Sequence, residues 1–224
     1  MTIAETHDRL DFLLNKEISG YITPENKDIA LDLAQMQEFS MLLPAPRTLQ
    51  FSSDLNPFHK SITFISNAYN PSTARYGTGT SGILILPDDY EYLQVAYTDD
   101  YNEIDVLIDT ELPSRLISSL IAPSATYPVC IESGEGASGD TLNSQDIEGK
   151  KKLQFYPNNV GHDGILWYFR RPVKPVFAYT ASANTITQEE EDSVDMEWND
   201  IAMGRIIERA KMILLEHLQA SVNA

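Results

Sequence analysis

Two glycine-rich segments are the first candidates for chemistry, because each has the glycine spacing of a dinucleotide-binding loop. These glycines are Gly77, Gly79 and Gly82 in GTGTSG, and Gly134, Gly136 and Gly139 in GEGASG. Such a loop follows a strand and opens a helix, whose N-terminus binds the pyrophosphate. The first segment instead leads into the apolar ILIL, and the second into the polar DTLNSQDIEGKKK. Both segments are therefore predicted to be hairpin loops.

The other reactive residue types also lack the spacing of a catalytic or metal-binding set. His7, His59, His162 and His217 share no metal-ligand spacing with one another or with a carboxylate. The only cysteine, Cys130, lies in a strand-like run and is predicted to be a buried apolar residue. The pairs Asp88–Asp89 and Asp99–Asp100 offer oxygens to a divalent cation, but they stand where turn-forming residues are expected. We predict no catalytic residue, no metal and no cofactor; a hydrolase that uses the aspartate pairs is the enzymatic alternative.

The segment WYFRRPVKPVFAY, residues 167–179, combines five aromatic, three cationic and two proline residues. A platform for single-stranded nucleic acid needs a cationic groove around the aromatic rings, and this chain is strongly acidic. A sugar-binding strip needs exposed rings on one face, yet Trp167 and Phe169 share a face with Ile165, which has the character of a core residue. The pattern favours a buried strand followed by a segment whose direction the prolines fix.

Acidic residues dominate the chain and argue against a polyanionic partner. The 224 residues include 33 acids and 16 bases, for a formal net charge of −17. Residues 76–149 contain fourteen acids and one base, Arg115, and residues 189–200 contain seven acids and no base. A protein that binds nucleic acid through its phosphates needs the opposite balance. The acids indicate either a solubilising surface or a surface that repels a polyanion.

The composition is that of a globular protein with 42% hydrophobic residues. No apolar run approaches the roughly 20 residues of a membrane span. The initial MTIAETHDRLDF lacks the basic and apolar stretches of a signal peptide. We therefore expect a soluble protein that is made inside the cell and does not enter a membrane.

Helical periodicity stands at both ends of the sequence. The leucines of RLDFLLNKEI predict a first helix, and Thr23 and Pro24 predict the N-cap and first position of a second. The apolar face of that second helix is predicted at Ile29, Leu33, Met36 and Phe39. The terminal GRIIERAKMILLEHLQ predicts a long amphipathic helix.

Short apolar runs between these helices predict strands, among them YPVCIE, KLQFYP and GILWYFR. Leu112, Leu116 and Leu120 recur at helical spacing and predict one short helix. The order predicts an α+β fold, in which a helical hairpin and a long C-terminal helix flank a sandwich or barrel-like β-rich middle. The predicted segments are a hairpin at 1–43, an extended loop at 44–80, a β-rich body at 81–180 with a short helix near 110–121, an acidic loop at 181–195 and a helix at 196–220.

The order of these elements resembles the ring, or head–tail adaptor, proteins of short-tailed bacteriophages, especially crAss-like phages. The resemblance is carried by LLNKEISGYITPENKDIALDLAQMQEF, LPDDYEYL, ELPSRLISSLIAPS with the following YPVC, WYFRRPVKPVFAY, and DMEWNDIAMGRIIERAKMILLEHLQ. These segments cover most of the chain, and none of them is a catalytic motif.

The resemblance implies a non-enzymatic virion protein, of which about twelve copies close into a ring beneath the portal. Such a ring would contact the portal and the tail or neck proteins, and genomic DNA would pass through it without sequence-specific binding. At about twelve copies, −17 per copy gives about −200, which disfavours adhesion of DNA phosphates.

The C-terminal helix and the 44–80 segment are the predicted contact regions of such a ring. Within this predicted helix, the candidate interface residues are Trp198, Met203, Met212 and Leu218. Core packing is the alternative for each of these four. The alternative function, from a different class, is a β-rich carbohydrate- or peptide-binding module of a phage tail.

Overall fold

The computed structural model describes residues 1–14, 22–43, 52–65, 76–77, 82–108, 110–124, 126–133, 151–157, 163–182 and 185–222. The chain divides into two compact units, which we call the helical unit (Met1–Phe58 with Pro172–Ala224) and the β unit (His59–Arg171). The predicted α+β class is confirmed. Both ends of the chain belong to the helical unit, so the β unit is an insertion between its two halves.

In chain order the elements are α1 (Ile3–Leu14), α2 (Pro24–Leu42), α3 (Ser52–Leu55), a 3-10 turn (Asn56–Phe58), β1 (His59–Ile65), β2 (Tyr76–Gly77), β3 (Ile83–Ile85), β4 (Tyr90–Thr98), β5 (Asp105–Leu107), α4 (Leu112–Ile117), β6 (Val129–Ser133), β7 (Lys152–Tyr156), β8 (Gly164–Arg170), β9 (Tyr179–Ser182), β10 (Thr185–Gln188) and α5 (Asp200–Val222). None of the helices in the described ranges is long and apolar enough to cross a membrane.

Helix α2 begins where the sequence predicts. The Thr23 side chain accepts a hydrogen bond from the Asn26 backbone N–H, and Pro24 occupies the first helical position. Helix α5 begins at Asp200 because the Asn199 side chain accepts the Ala202 N–H at 2.9 Å. These two caps fix the starts of the two helices that pack against each other in the helical unit.

The core of the helical unit is organised around Trp198, which is 5% exposed. Its ring centroid lies 4.6 Å from that of Phe58 and 6.4 Å from that of Phe39. The indole N–H donates to the Gln35 side-chain oxygen at 3.3 Å. The aromatic cluster therefore joins α2, the 3-10 turn and the segment that leads into α5.

The β unit is a sandwich of two four-stranded sheets with the orders β2-β1-β8-β4 and β3-β7-β6-β5. Their facing side chains form one buried core, in which the rings of Phe64 and Phe155 lie 5.3 Å apart. Both sheets are open in the described strands, so the sandwich alternative is the correct one and no closed barrel is formed. In the helical unit, β9 and β10 form a separate hairpin.

The segment predicted as an extended loop, 44–80, contains regular structure in its described part, and its strand-like run SITFISNAY overlaps β1. Residues 52–65 form α3, the 3-10 turn and β1, and β1 pairs antiparallel with β8 along its length. Alternation in KSITFI supports a strand, but the partner is about 100 residues away and no local signal identifies it. Residues 44–51, 66–75 and 78–80 lie outside the described part of the chain.

Three other predicted segments change their bounds. The short helix near 110–121 is limited to α4, because Ser118 adopts an extended conformation and ends it. The acidic loop at 181–195 contains β10, which pairs with β9. The helix predicted at 196–220 begins later, at Asp200, and Trp198 precedes it in the extended segment.

Candidate functional site

Cys130 lies in β6 and is fully buried in the core of the β unit. Burial, followed by the nearby carboxylates of Glu132 and Asp105, raises the pKa of the thiol to about 12. The thiolate is the nucleophilic form of cysteine. Cys130 is therefore a packing residue, as its place in an apolar strand predicts.

The described histidines stand in separate environments. His7 is buried in the helical unit, with Nε2 2.9 Å from Oδ1 of Asp28. His59 lies at the start of β1 in the β unit, and His217 is exposed on α5. His162 lies outside the described residues. Across the described ranges, no group of three or more His, Cys, Asp or Glu side chains is placed to hold a metal ion.

The aspartate pairs take part in turns and strand contacts of the β unit. Asp89 accepts hydrogen bonds from the Lys60 ammonium at 2.5 Å and from the Tyr168 hydroxyl at 3.0 Å. Burial alone would raise the pKa of Asp89, but these two partners outweigh it and lower the pKa. In the turn after β4, the Asp99 backbone N–H donates to the Asp163 carbonyl.

The glycine-rich segments are only partly described. Gly77 lies in β2, and Gly82 has a φ of 70° immediately before β3. A positive φ suits a turn that leads into a strand. The predicted hairpin is wrong, however, because β2 pairs with β1 and β3 pairs with β7 in the other sheet. The glycines outside the described residues are Gly79, Gly134, Gly136 and Gly139.

The aromatic segment begins in β8, which contains its first four residues, 167–170, and lies between β1 and β4. Tyr168 and Phe169 are buried, as predicted, but Trp167 is 36% exposed. Ile165 is half-buried, so the face that it shares with Trp167 is not the core face. The His59 ring stacks on the indole at 5.0 Å, and Tyr92 on β4 is 40% exposed. The outer face of this sheet thus carries an aromatic patch.

A second apolar surface surrounds α4. No residue of α4 is buried, and residues 105–127, which we call the α4 arm, expose seven large apolar side chains. These are Val106, Ile108, Leu116, Ile117, Leu120, Ile121 and Tyr127. The leucine spacing predicts a helix here, but it does not indicate that the apolar side chains of the helix are exposed. No residue in the described ranges covers the apolar face of α4.

A third apolar surface lies on α2. Ile29 and Leu33 are each 50% exposed and Met41 is 62% exposed, although the sequence pattern places the first two in a core face. Leu33, Met36, Gln37, Ser40 and Met41 line, together with Arg209 of α5, an open groove of about 480 Å³, which we call the α2 groove. None of the six lining residues is acidic.

The opposite face of α2 explains this exposure. It buries polar side chains whose partners come from α1, α5 and the segment before α5. Lys27 contacts Asp11 at 2.6 Å, Gln35 bonds Trp198, and Glu38 binds two arginines of α5. These partners satisfy the buried polar side chains, and the same side of the helix also buries Leu31, Phe39 and Leu42. This mixed face therefore packs inward, and the apolar stripe containing Leu33 is left at the surface.

The four predicted interface residues separate into two groups. Trp198 and Met203 are 5% and 1% exposed and pack in the core of the helical unit. Met212 is 55% exposed on α5, three residues after Arg209 of the α2 groove, and Leu218 is half-buried. Met212 is therefore the predicted residue that is most available for a contact with another molecule.

The α4 arm and the α2 groove were not identified as surfaces from sequence. One signal is present for the arm: residues 116–131 contain no charged side chain, within the region of the chain that is richest in acids. For the groove, the apolar stripe of α2 is visible in sequence, but its exposure depends on the ion pairs of the opposite face.

No protein-family model matches the chain, and no curated protein is similar to it.

Proposed function

We propose that this chain is a virion structural protein that forms a ring-shaped head–tail connector beneath the portal of a short-tailed phage. In this proposal the ring joins the capsid vertex to the tail and forms part of the DNA conduit. The protein is made in the host cytoplasm and functions in the neck of the virion, without catalysis. The order of sequence elements described above motivates this class of protein.

The observation that carries the ring proposal is the presence of two different exposed apolar surfaces, the α4 arm in the β unit and the α2 groove in the helical unit. Soluble monomers seldom expose large contiguous apolar patches, and those that occur often mark protein interfaces. A closed ring of identical subunits needs two different, complementary patches on each subunit, because every copy contacts its two neighbours through different faces. The two surfaces supply that requirement.

The charge supports the position of the ring around DNA. A net charge of −17 per copy makes the assembled ring a polyanion. Like charge on the wall of a conduit disfavours adhesion of the phosphate backbone, so the genome would slide without being held.

Co-assembly with the portal tests this function. The full chain is mixed with the purified portal protein of the same phage and imaged by negative-stain electron microscopy. The proposal predicts a second ring coaxial with the portal, absent when the portal is omitted or replaced by an unrelated dodecameric protein. A monomer that binds glycans and adds no density to the portal contradicts it.

The aromatic patch of the β unit favours a second candidate, a carbohydrate- or peptide-binding module of a phage tail. Trp167 presents its ring at the outer face of the sheet, and its cross-strand neighbours are Ser61 on β1 and Val95 on β4. An exposed aromatic ring beside a hydroxyl can stack on a sugar or hold an apolar peptide side chain. Tryptophan fluorescence titrations with glycans and peptides, using Trp167→Ala as the comparison, test this candidate.

A further inference from the structure

We propose that the α4 arm of one copy docks into the α2 groove of the next copy, so that head-to-tail contacts between these two surfaces build the ring. This inference rests on the proposed function and specifies the subunit contact that the function requires. It commits to a second copy of this chain as the occupant of both surfaces.

The apolar side chains of the arm are exposed in the way expected of an interface whose partner subunit is absent. Ile117 and Leu120, at its tip, are 85% and 92% exposed. A specific interface uses roughly 20–30 residues on each side. The arm, at 105–127, is of that size and is dominated by apolar side chains at its tip. It is therefore large enough to form a subunit contact by itself.

The arm is also organised before it meets a partner. The Ser118 hydroxyl oxygen accepts the backbone N–H groups of Leu120 and Ile121, which fixes the turn after α4. The Arg115 guanidinium binds Asp105 at 2.5 Å and connects α4 to β5. A surface that is already ordered loses less conformational entropy on binding than a free loop.

The α2 groove has the size and chemistry to receive the tip of the arm. A cavity of roughly 150 Å³ holds a benzene-sized group, so a groove of about 480 Å³ has room for about three such groups. Leu33, Met36 and Met41 provide an apolar lining, and methionine side chains adapt to irregular shapes. Ile117, Leu120 and Ile121 are the side chains of matching size.

Charge selects this pairing over others on the same chain. Two copies that each carry −17 repel, and the repulsion is least between surfaces without acids. The acids of the arm, Asp105, Asp109 and Glu111, all precede its apolar tip in the sequence. Residues 116–131 have no charge, and the groove contains one arginine and no acid. An arm against an arm or a groove against a groove would instead give a two-fold dimer that leaves the other surface of each copy uncovered.

Cysteine pairs test the contact directly in the full chain. Leu120→Cys and Met41→Cys variants are purified, mixed and oxidised, and the products are separated under denaturing, non-reducing conditions. Wild-type protein gives the background, because its only cysteine is buried. The control partner is Ile201→Cys, at an equally accessible apolar position that is 73% exposed on the first turn of α5.

The proposal predicts a covalent heterodimer of the Leu120→Cys and Met41→Cys variants, and a ladder of dimers, trimers and longer species for the chain that carries both. Leu120→Cys with Ile201→Cys should give only background. Equal yields for the two mixtures contradict the docking, as does preferential pairing of Leu120→Cys with itself or of Met41→Cys with itself.

A charged substitution at the tip of the α4 arm gives a second, independent test of the contact. Ile117→Glu should lower the yield of the Leu120→Cys and Met41→Cys product by at least about tenfold, because it places an unpaired carboxylate in an apolar contact. Ile201→Glu adds the same charge outside the contact and should leave the yield unchanged. Circular dichroism of each variant establishes that it is folded; an unchanged yield for folded Ile117→Glu contradicts the proposal.

The failure of this inference and the failure of the proposed function are distinguishable. A ring on the portal in which the cysteine pair does not crosslink overturns the docking alone. A crosslinked ladder from a protein that never assembles on the portal leaves the docking in place and overturns the connector function.

Discussion

Arg205 Nε lies 2.6 Å from Oε1 of Glu38, a carboxylate that is almost fully buried between α2 and α5. The same guanidinium binds Asp54 at 2.7 Å, and Arg209 lies 3.2 Å from the second oxygen of Glu38. This network holds the polar face of α2 inward and thereby leaves Leu33 at the surface. The docking surface that we propose depends on these ion pairs.

Replacing Arg205 with methionine should destabilise the helical unit. The substitution keeps the apolar stem but leaves Asp54 without this partner and Glu38 with Arg209 alone. Because the Arg205 side chain is 40% exposed, the pair is only partly buried, and its loss should cost roughly 1–3 kcal/mol. Urea unfolding followed by circular dichroism measures the loss. Arg209→Met, which removes one contact of Glu38, is the control and should cost less. If Arg205→Met and Arg209→Met lowered the free energy of unfolding equally, the prediction that Arg205 contributes more than Arg209 would be contradicted.

Asp54 should make stability depend on pH in the acidic range. Burial acts to raise its pKa, but hydrogen bonds from Asn199 and Arg205 outweigh burial, so the pKa in the folded state lies below 3.8. The unfolded chain therefore binds this proton more readily than the folded chain. The stabilisation is complete above the unfolded value and is lost as the pH falls through the lower folded value.

Asp54→Asn removes this titration while keeping the shape of the side chain. Its free energy of unfolding should fall less steeply than that of wild type between pH 5 and pH 2 (roughly the range of folded and unfolded aspartate pKa values). Urea unfolding at several pH values measures both slopes. Parallel slopes would show that Asp54 does not carry the pH dependence.

Substitution by alanine at two glycines should change the stability of the protein in opposite directions. At Gly164 a Cβ atom would overlap the Phe64 ring and the Tyr97 carbonyl, so Gly164→Ala should cost about 2 kcal/mol or more. At Gly204, within α5, a Cβ atom meets no atom within 4 Å, and Gly204→Ala should stabilise by about 0.5–1 kcal/mol. Thermal unfolding of both variants checks the prediction, and a shift of the same sign for both contradicts it.

Substitutions at Trp198 and Met212 should distinguish a residue that stabilises the fold from a residue that is available for assembly. Trp198→Ala opens the aromatic core and leaves Gln35 without its donor, so the free energy of unfolding should fall by about 3–5 kcal/mol. Met212→Ala removes an exposed side chain and should change stability by less than about 0.5 kcal/mol. Chemical unfolding measures both, and the portal co-assembly assay then shows whether Met212 contributes to the ring. A large loss of stability for Met212→Ala would contradict its placement at the surface.

Local signals predict the parts of the fold that depend on neighbours in sequence. Thr23 and Pro24 mark the start of α2, and the apolar run around Cys130 predicts a buried strand; both predictions are confirmed. The position of β1 depends on pairing with β8, about 100 residues later, and the sequence interpretation assigned it to a loop. Pairing over that separation is a tertiary property.

The two candidate docking surfaces also depend partly on local sequence and partly on tertiary contacts. The apolar stripe that contains Ile29 and Leu33 is visible in sequence, but periodicity cannot say whether a partner within the chain covers it. Here Glu38 and Gln35 find partners in and before α5, so the side of the helix that carries them, together with the apolar Leu31 and Leu42, is the buried one. The exposure of α4 follows similarly from the lack of a covering element in the described chain, which composition does not reveal.

Electron microscopy of intact virions labelled through an affinity tag at Ala224 tests the central claim most directly. The account predicts that the label decorates the neck, between the portal and the tail, in a ring of equivalent positions. Label on the tail fibres, or virions that assemble with normal necks and carry no label, would contradict the connector function.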